Sequence, residues 1–376
     1  MKKPKLLIFH PALAPYRVDQ FNSLSKLYDL VVVFIFDNVP DNQFDQPKLL
    51  SLLEFEYVFL LKGPNYKNKA FRFGIYKTIK KFNPDIILGY EYSVITQYLI
   101  FMKKIGLIHQ RIGSTIDDSI EICNHVQSKV RFCARKLSIH QLDYIIVLSN
   151  EVAQFYKSKF NLKDNQVVIS PIFQDAARLR ENVIELERIA GDYSQEYSLK
   201  GKKVLLFVGR LIPEKGLTQY LNTIFQLFSE QENLILFFVG EGIDQSNIEA
   251  LIHSKQLEHK VFLPGRHEGM ELNAWYICSS GLVLPSTYEP FGAVVNEALI
   301  FGIPVLCSQY AGSSYLINKD NGILFDPLSK SDTLIKTNDF LNKLDVINEI
   351  KLQNSPSLMP VHLIEFNNEW MKLLVN

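Results

Sequence analysis

Cysteine is scarce in this sequence: four residues in 376, none of them in a C-x-x-C pair. A chain of this length needs no disulfide framework, so Cys123, Cys133, Cys278 and Cys307 read as reduced thiols of a cytosolic protein. No spacing of Cys and His suggests a metal site. Long apolar runs are missing too. None approaches the roughly 18–20 residues that span a bilayer, and His10, Pro11 and Pro15 interrupt the apolar stretch at the amino terminus. That stretch is better read as a first β-strand than as a signal peptide. The absence of short-period repeats excludes solenoids and propellers. There is no net charge, with 40 basic and 40 acidic residues, and nucleic-acid binding is not favoured.

What is present is uneven. Residues 1–175 hold 23 Lys+Arg and 16 Asp+Glu, and the remainder holds 17 and 24. A basic first half suggests an anionic partner, with compositional scatter as the ordinary alternative. Nearly half the residues are apolar, enough for a core in each of two or three domains.

Short apolar runs alternate with longer amphipathic ones. Strands are predicted over 6–9, 30–36, 57–61, 86–89, 104–108, 144–148 and 167–169, with helices such as 16–27 and 71–82 between them. Several runs are continuous rather than alternating, the mark of parallel strands covered on both faces by helices. This predicts a doubly wound α/β domain over 1–175. Polar residues 176–200 read as a linker with room for one helix. The alternation restarts over 201–359 as a second α/β domain, and 360–376 is a separate amphipathic helix.

The strongest chemical signal runs from Tyr288 through Glu289-Pro290-Phe291-Gly292-Ala293 to Glu297. A predicted buried strand enters this loop, and the loop feeds a helix. Glu289 thus falls at the carboxyl end of a strand, where open α/β sheets bind ligands. Gly292 permits close backbone approach. The following helix start offers free N–H groups to a phosphate. Glu297, in the first turns of that helix, has acceptors suited to ribose hydroxyls. Surface carboxylates are the ordinary alternative, and two glutamates eight apart would mean little without the strand, loop and helix around them.

This segment resembles the E-x7-E region of retaining GT-B glycosyltransferases of family 4, and the resemblance extends over about 204–327. Phe207-Val208-Gly209-Arg210-Leu211 with Glu214-Lys215-Gly216 resembles the family's phosphate-binding segment, and Gly240-Glu241-Gly242 its G-x-G loop. Val261 to Gly265 is similar to its base-contacting turn. Leu284-Pro285-Ser286 and Asn321 to Phe325 match two further recurrent segments. The resemblance implies two Rossmann-like doubly wound domains facing a cleft, with the last helix crossing back to the N-terminal domain. It implies that Arg210 and Lys215 neutralise a nucleotide-diphosphate leaving group without a metal. Glu289 would hold the donor sugar and Glu297 the ribose. Gly209, Gly240, Gly242, Pro290, Phe291, Gly292 and Ala293 would line the donor, and Gly265 and Arg266 would lie near the base. One departure concerns Tyr310-Ala311-Gly312-Ser313-Ser314-Tyr315, where the family often has a Gly-Gly pair and then an acid. Here Tyr315 stands near the place of the acid, which bears on donor choice.

In the first half, the loop from His10 to Arg17 replaces the Gly-rich loop of relatives with Ala and Pro, and Tyr16 and Arg17 are acceptor-side candidates. The polar stretch 111–119 is predicted to be a loop following the strand 104–108. Within it, Asp117 or Asp118 would orient the acceptor hydroxyl, with His109 just upstream; capping of the next helix is the alternative reading for both aspartates. Lys129, Arg131, Arg135 and Lys136, and a second group of Lys77, Lys80 and Lys81, sit beside apolar residues. Such a pattern suits a membrane surface carrying a lipid-linked acceptor, or a solvated helix face.

The expected activity is transfer of a hexose-type sugar from a UDP- or GDP-sugar to a hydroxyl of a glycan or lipid-linked glycan. Retention follows from the resemblance. No cofactor or metal is expected. The setting would be cytoplasmic, at the inner face of the membrane, in bacterial surface polysaccharide synthesis. A sugar-nucleotide epimerase of the same fold and a catalytically silent nucleotide-sugar-binding subunit are the competing classes. A phosphorylase would need a pyridoxal lysine, and none is identified.

Overall fold

The computed structural model describes residues 3–39, 43–66, 69–124, 129–350, 352, 355–360 and 363–374. The chain divides into two compact units, Met1–Gln174 with Val361–Asn376, and Asp175–Pro360.

The strands of the first unit are β1 (Lys5–His10), β2 (Asp29–Phe34), β3 (Glu56–Phe59), the small hairpin β4 (Asn65–Tyr66) and β5 (Lys69–Ala70), then β6 (Ile86–Tyr90), β7 (Arg111–Ile116), β8 (Tyr144–Val147) and β9 (Val167–Ile169). All but the hairpin pair in parallel, in the order β3-β2-β1-β6-β7-β8-β9. The apolar runs of β1, β2, β6 and β8 are buried on both faces, as their continuity predicts. The strand order reverses beside β1, so the carboxyl ends of β1 and β6 flank the topological switch point.

The strand predicted over 104–108 is displaced in the structure. Helix Val94–Lys104 runs into that stretch, and Gly106 closes the turn after it in the left-handed region at φ 75°. The strand is the polar sequence Arg111–Ile116, predicted as a loop. It is buried because its polar groups are satisfied, with the Ser114 hydroxyl donating to the Glu91 carbonyl at 2.6 Å, and because Gly113 fits where a Cβ would lie 2.8 Å from Leu88. His109 consequently precedes β7 and is exposed at the amino edge of the sheet. The predicted acceptor-side role for it fails on position, since Asp117 follows the same strand at the other edge.

Helix Leu363–Met371 closes this unit. Phe366 and Trp370 are buried in the cluster formed by β1, β2 and helix Val18–Leu27. Trp370 is pinned at both ends: its indole N–H donates to Ser170 Oγ at 2.9 Å, and its carbonyl accepts the Tyr28 hydroxyl at 2.5 Å. Residues 361, 362, 375 and 376 of the predicted helix lie outside the described residues.

The second unit repeats the scheme with β10 (Lys203–Val208), β11 (Leu234–Val239), β12 (Val261–Gly265), β13 (Gly281–Leu284), β14 (Val305–Ser308) and β15 (Gly322–Phe325). They pair in parallel in the order β12-β11-β10-β13-β14-β15. The order reverses between β10 and β13, and the loops leaving those two strands carry the motif residues. The stretch predicted as a linker is structured. Helix Val183–Glu196 belongs to this unit, buries Leu186 and Ala190, and stacks Tyr193 on Trp275 with ring centroids 4.4 Å apart. Its apolar stripe is narrow, so the segment reads as polar, yet a narrow stripe suffices against one neighbouring helix.

Candidate functional site

At the switch point of the second unit, glycine lets three loops come together. Gly209 and Gly240 follow β10 and β11 with φ of 147° and 150°, and a Cβ on Gly240 would lie 1.8 Å from the Gly209 carbonyl oxygen. A Cβ on Gly242 would be 2.2 Å from the Leu211 carbonyl oxygen. Any side chain at either place drives these loops apart. The Leu211 N–H donates to the Glu241 carbonyl at 2.9 Å, which ties the two loops together.

The loop after β13 joins the same place. The Thr287 N–H donates to the Glu214 carbonyl at 2.9 Å, and the Gly312 N–H donates to the Glu289 carbonyl at 3.0 Å. Gly312 must be glycine, since a Cβ there would lie 2.0 Å from the Pro290 carbonyl oxygen. Between these anchors Lys215 and Glu289, 74 residues apart, form an ion pair with both side chains largely buried. Phe291 is buried and Pro290 exposed. Gly292, at φ 93°, starts helix Ala293–Ile300, and no side chain caps that end. The Val295 N–H already donates to the Gly292 carbonyl at 3.0 Å, which leaves the amides before it and the positive end of the helix to meet an anion.

Arg210 is exposed beside Gly209; its carbonyl accepts the Ile212 N–H at 3.1 Å, and its guanidinium makes no hydrogen bond among the described residues. Gly265 has φ 89° at the end of β12, with open space where a Cβ would point. Arg266 is held by Glu268 and lies 3.5 Å from Glu241, so carboxylates of its own surface occupy its guanidinium.

Glu297 has a partner that no motif announces. The buried Tyr276 hydroxyl donates to Glu297 Oε2 at 2.6 Å. Burial and the charge of Glu297 push this phenol well above the ordinary range, so it stays a donor. Tyr276 is in turn stacked on Phe301 with centroids 5.6 Å apart. The carboxylate is thus oriented from behind. If Glu297 holds a ribose, as the resemblance implies, Tyr276→Phe should weaken nucleotide binding by roughly 10-fold, the worth of a hydrogen bond to a charged group, with little change in the maximal rate. Titration of the variant with UDP and GDP checks this.

The first unit gathers a second group at its own switch point. Arg17 is buried and paired with Asp117. Tyr90 donates to the same Asp117 oxygen at 3.2 Å, and the Glu91 carboxylate accepts the Asp117 N–H at 2.9 Å. Glu91 holds φ 51°, uncommon for a residue with a side chain. Tyr16 lies beside Arg17, its ring 5.7 Å from the guanidinium carbon. His10, at the end of β1, is buried edge-on to Phe21 and Tyr90. Burial, reinforced by the charge of Arg17, pushes its pKa down to about 3. It is therefore neutral, with Nδ1 3.0 Å from the Ala12 carbonyl. His10, Tyr90 and Glu91 were not site candidates from sequence. The usable signal was that each closes or follows a strand at this edge.

Asp118 separates from its neighbour. It is fully buried, paired with Arg135 at 2.8 Å and bonded by the Tyr156 hydroxyl at 3.0 Å. Of the two aspartates predicted to orient an acceptor, Asp118 is a core strut and Asp117 remains. The same ion pair turns Arg135 inward, away from the basic surface predicted for its helix. The side chain of Arg131 lies outside the described ones. Among the thiols, Cys123, Cys278 and Cys307 are buried and Cys133 exposed, and none is disulfide-bonded.

Residues 192–346, which include the whole second sheet but less than half the chain, match the family model of glycosyl transferases group 1. An uncharacterized glycosyltransferase of Methanocaldococcus jannaschii is 31% identical over 206 residues, 53% of this chain and 51% of that protein, so the chain spans about half the length of this relative. A second uncharacterized glycosyltransferase of the same organism is 25% identical over 358 residues, 86% of each chain. Among solved structures, Anabaena Alr3699/HepE in complex with UDP superposes with a TM-score of 0.69 at 14% identity, covering 98% of this chain and 99% of that one. The fold of two parallel-sheet, Rossmann-like domains is therefore the fold of GT-B glycosyltransferases.

Proposed function

We propose that this chain, which carries a glycosyl transferases group 1 domain in its second unit, transfers a sugar from a nucleotide-diphosphate sugar to a hydroxyl of a glycan or lipid-linked glycan, with retention at the anomeric carbon. The observation that carries the reading is the Lys215–Glu289 pair at the switch point of the second sheet. It sets a cation suited to phosphate beside a carboxylate suited to sugar hydroxyls, in the loop that leads to an uncapped helix start.

On this reading the diphosphate lies against the amides that open helix Ala293–Ile300. Lys215 and Arg210 offset the charge that develops on the phosphate oxygen as its bond to the anomeric carbon breaks. Glu289 holds the sugar by its hydroxyls and Glu297 the ribose. Gly265 and Arg266 flank the base. The acceptor hydroxyl attacks the face the phosphate leaves, and its proton passes to the departing phosphate oxygen; within the first unit, the Arg17–Asp117–Tyr90 group is the candidate for binding the acceptor. UDP is the preferred nucleotide, in line with the UDP complex of the similar Anabaena protein. A metal has no part in this scheme, because the two basic side chains supply the positive charge. The setting is the cytoplasmic face of a membrane, in the assembly of a surface polysaccharide. No helix among the described residues is long and apolar enough to cross a membrane.

The test is incubation with UDP- and GDP-sugars and a panel of glycan acceptors, with and without EDTA. Transfer with release of nucleoside diphosphate, unchanged by EDTA, is expected. Interconversion of nucleotide-sugars without acceptor would instead favour an epimerase. Binding without any turnover would favour the silent subunit.

A further inference from the structure

Three arginines among the described residues are buried: Arg17, Arg72 and Arg135. Arg17 is paired with Asp117, and Arg135 with Asp118. Arg72, only 2% exposed, has no carboxylate partner among the described residues. Its Nε donates to the Ile35 carbonyl at 2.8 Å. Its Nη1 donates to Asn65 Oδ1 at 2.6 Å and to the Gly63 carbonyl at 3.4 Å. The guanidinium carbon lies 5.2 Å from the centre of the Phe36 ring. All of these partners are neutral. Burial pushes the pKa of Arg72 below the ordinary arginine value, with no acid to offset it. A buried charge without a counter-charge is costly.

The ordinary reading is a clamp that holds the hairpin β4–β5 on the sheet. That task needs no cation. The Phe73 N–H donates to the Lys62 carbonyl at 2.9 Å and the Phe71 N–H to the Pro64 carbonyl at 3.1 Å, so backbone closes the base of the hairpin. A neutral amide side chain could hold the Ile35 carbonyl as well. Of the five N–H groups of a guanidinium, the three just named are used and the two on Nη2 are not. Nη2 makes no hydrogen bond among the described residues and is not sealed from solvent.

Arg72 reaches the carboxyl edge of the first sheet. Ile35 directly follows β2, and its N–H is shared by the His10 and Pro11 carbonyls at 3.1 Å each, at the head of the loop that leads to Arg17. β2 and β6 flank β1. Ile35 and Tyr90, at the ends of those two strands, are therefore two strand spacings apart, about 10 Å. The unpaired guanidinium and the Arg17–Asp117–Tyr90 group share one edge, on either side of β1.

We propose that Arg72 binds a phosphate or carboxylate carried by the acceptor, while the Arg17–Asp117–Tyr90 group meets the acceptor's sugar hydroxyls. With Nε and Nη1 occupied, Nη2 offers a single nitrogen rather than a two-nitrogen fork, so the contact is to one anionic oxygen, a feature common to both groups. That oxygen supplies the counter-charge Arg72 lacks. The proposal rests on the reading of the first unit as the acceptor side, and it narrows the acceptor to an acidic one.

The experiment measures binding of glucose 1-phosphate, glucuronate, glucose and inorganic phosphate to the full chain by titration calorimetry. At least one of the two acidic sugars is expected to bind more tightly than glucose and inorganic phosphate, and salt should weaken it. Arg72→Gln should weaken that binding by about 10-fold or more, the worth of a hydrogen bond between charged groups. Such a loss places the binding in the first unit rather than at the phosphate site of the second. Arg72→Lys, which keeps the charge, should lose less. Asn65→Ala removes a hairpin contact but no charge, and should bind as the parent does; melting temperatures show that each variant is folded. Lower melting temperatures in Arg72→Gln and Arg72→Lys alike, with the acidic sugar bound as before, would make Arg72 a clamp and overturn the proposal. So would a folded parent that binds neither acidic sugar. Inorganic phosphate bound as tightly as both, and lost in Arg72→Gln, would overturn it too, since the site would then take a free anion. No arm needs a nucleotide-sugar, and the transferase reading fails separately, if neither UDP nor GDP binds.

Discussion

Replacing Glu289 with alanine is expected to lower transfer by at least about 10²–10³-fold, the range for removing one preorganised group at a reacting centre, while leaving the protein folded. Glu289 sits in a loop held by its backbone: its carbonyl accepts the Gly312 N–H, and neighbouring Phe291 accepts the Ser313 N–H at 2.7 Å. Neither bond uses the side chain. The side chain touches Lys215, and its loss frees that ammonium for phosphate. Nucleotide binding by Glu289→Ala should therefore be kept or tightened as turnover falls. A merely structural salt bridge would give the reverse, lower stability with transfer intact. Rates with a fixed acceptor and melting temperatures with and without UDP separate the two, and full activity in the purified variant would remove Glu289 from the chemistry.

Asp118→Ala should do the opposite, damaging the fold far more than the reaction. The variant leaves the buried Arg135 guanidinium without its carboxylate and removes the acceptor of the Tyr156 hydroxyl. Breaking one side of a buried pair costs about 3–5 kcal/mol, because the remaining charge keeps its desolvation penalty. For a unit of this size that is a fall in melting temperature on the order of 10 °C. Well below the new transition, the folded protein should turn over at close to the parental rate. Asp117→Ala, at the less buried end of the Arg17 pair, should lose turnover even where it is fully folded. Calorimetry alongside assays at low temperature checks both. An Asp118→Ala protein with an unchanged transition and a collapsed rate would reverse the assignment of the two aspartates.

These residues also show what could be read beforehand. In the second unit, sequence order and spatial order coincide: the loops after β10 and β13 carry the motif residues to the switch point, where Lys215 and Glu289 form an ion pair that the linear reading did not foresee. The first unit was harder because burial there does not follow apolarity. Arg111–Ile116 looks like a loop and is a central strand, since Gly113 yields space and Ser114 and Thr115 bond the backbone of the neighbouring strand and the turn after it. The apolar run before it is a helix end and a turn. That exchange moved His109 to the wrong edge and hid the relation of Tyr90 and Glu91 to Asp117. Tyr276 was invisible for another reason. It reaches Glu297 from a helix 21 residues earlier, and only tertiary packing brings the two together. The stretch 176–200 hid its packing in the stacking of Tyr193 and Tyr197 around Trp275, which helical periodicity of aliphatic residues does not report.

The claim on which the rest depends is that the second unit binds a nucleotide diphosphate at the Lys215–Glu289–Glu297 group. Thermal stabilisation by UDP, GDP and ADP, and by their sugars, tests it most directly, because a ligand that binds only the folded state must raise stability, by about 2.7 kcal/mol at a hundred times its Kd. The account predicts a clear rise with one nucleotide series, UDP foremost, reduced in Lys215→Ala and in Tyr276→Phe. No rise with any of them, or a rise that Lys215→Ala leaves untouched, would contradict it.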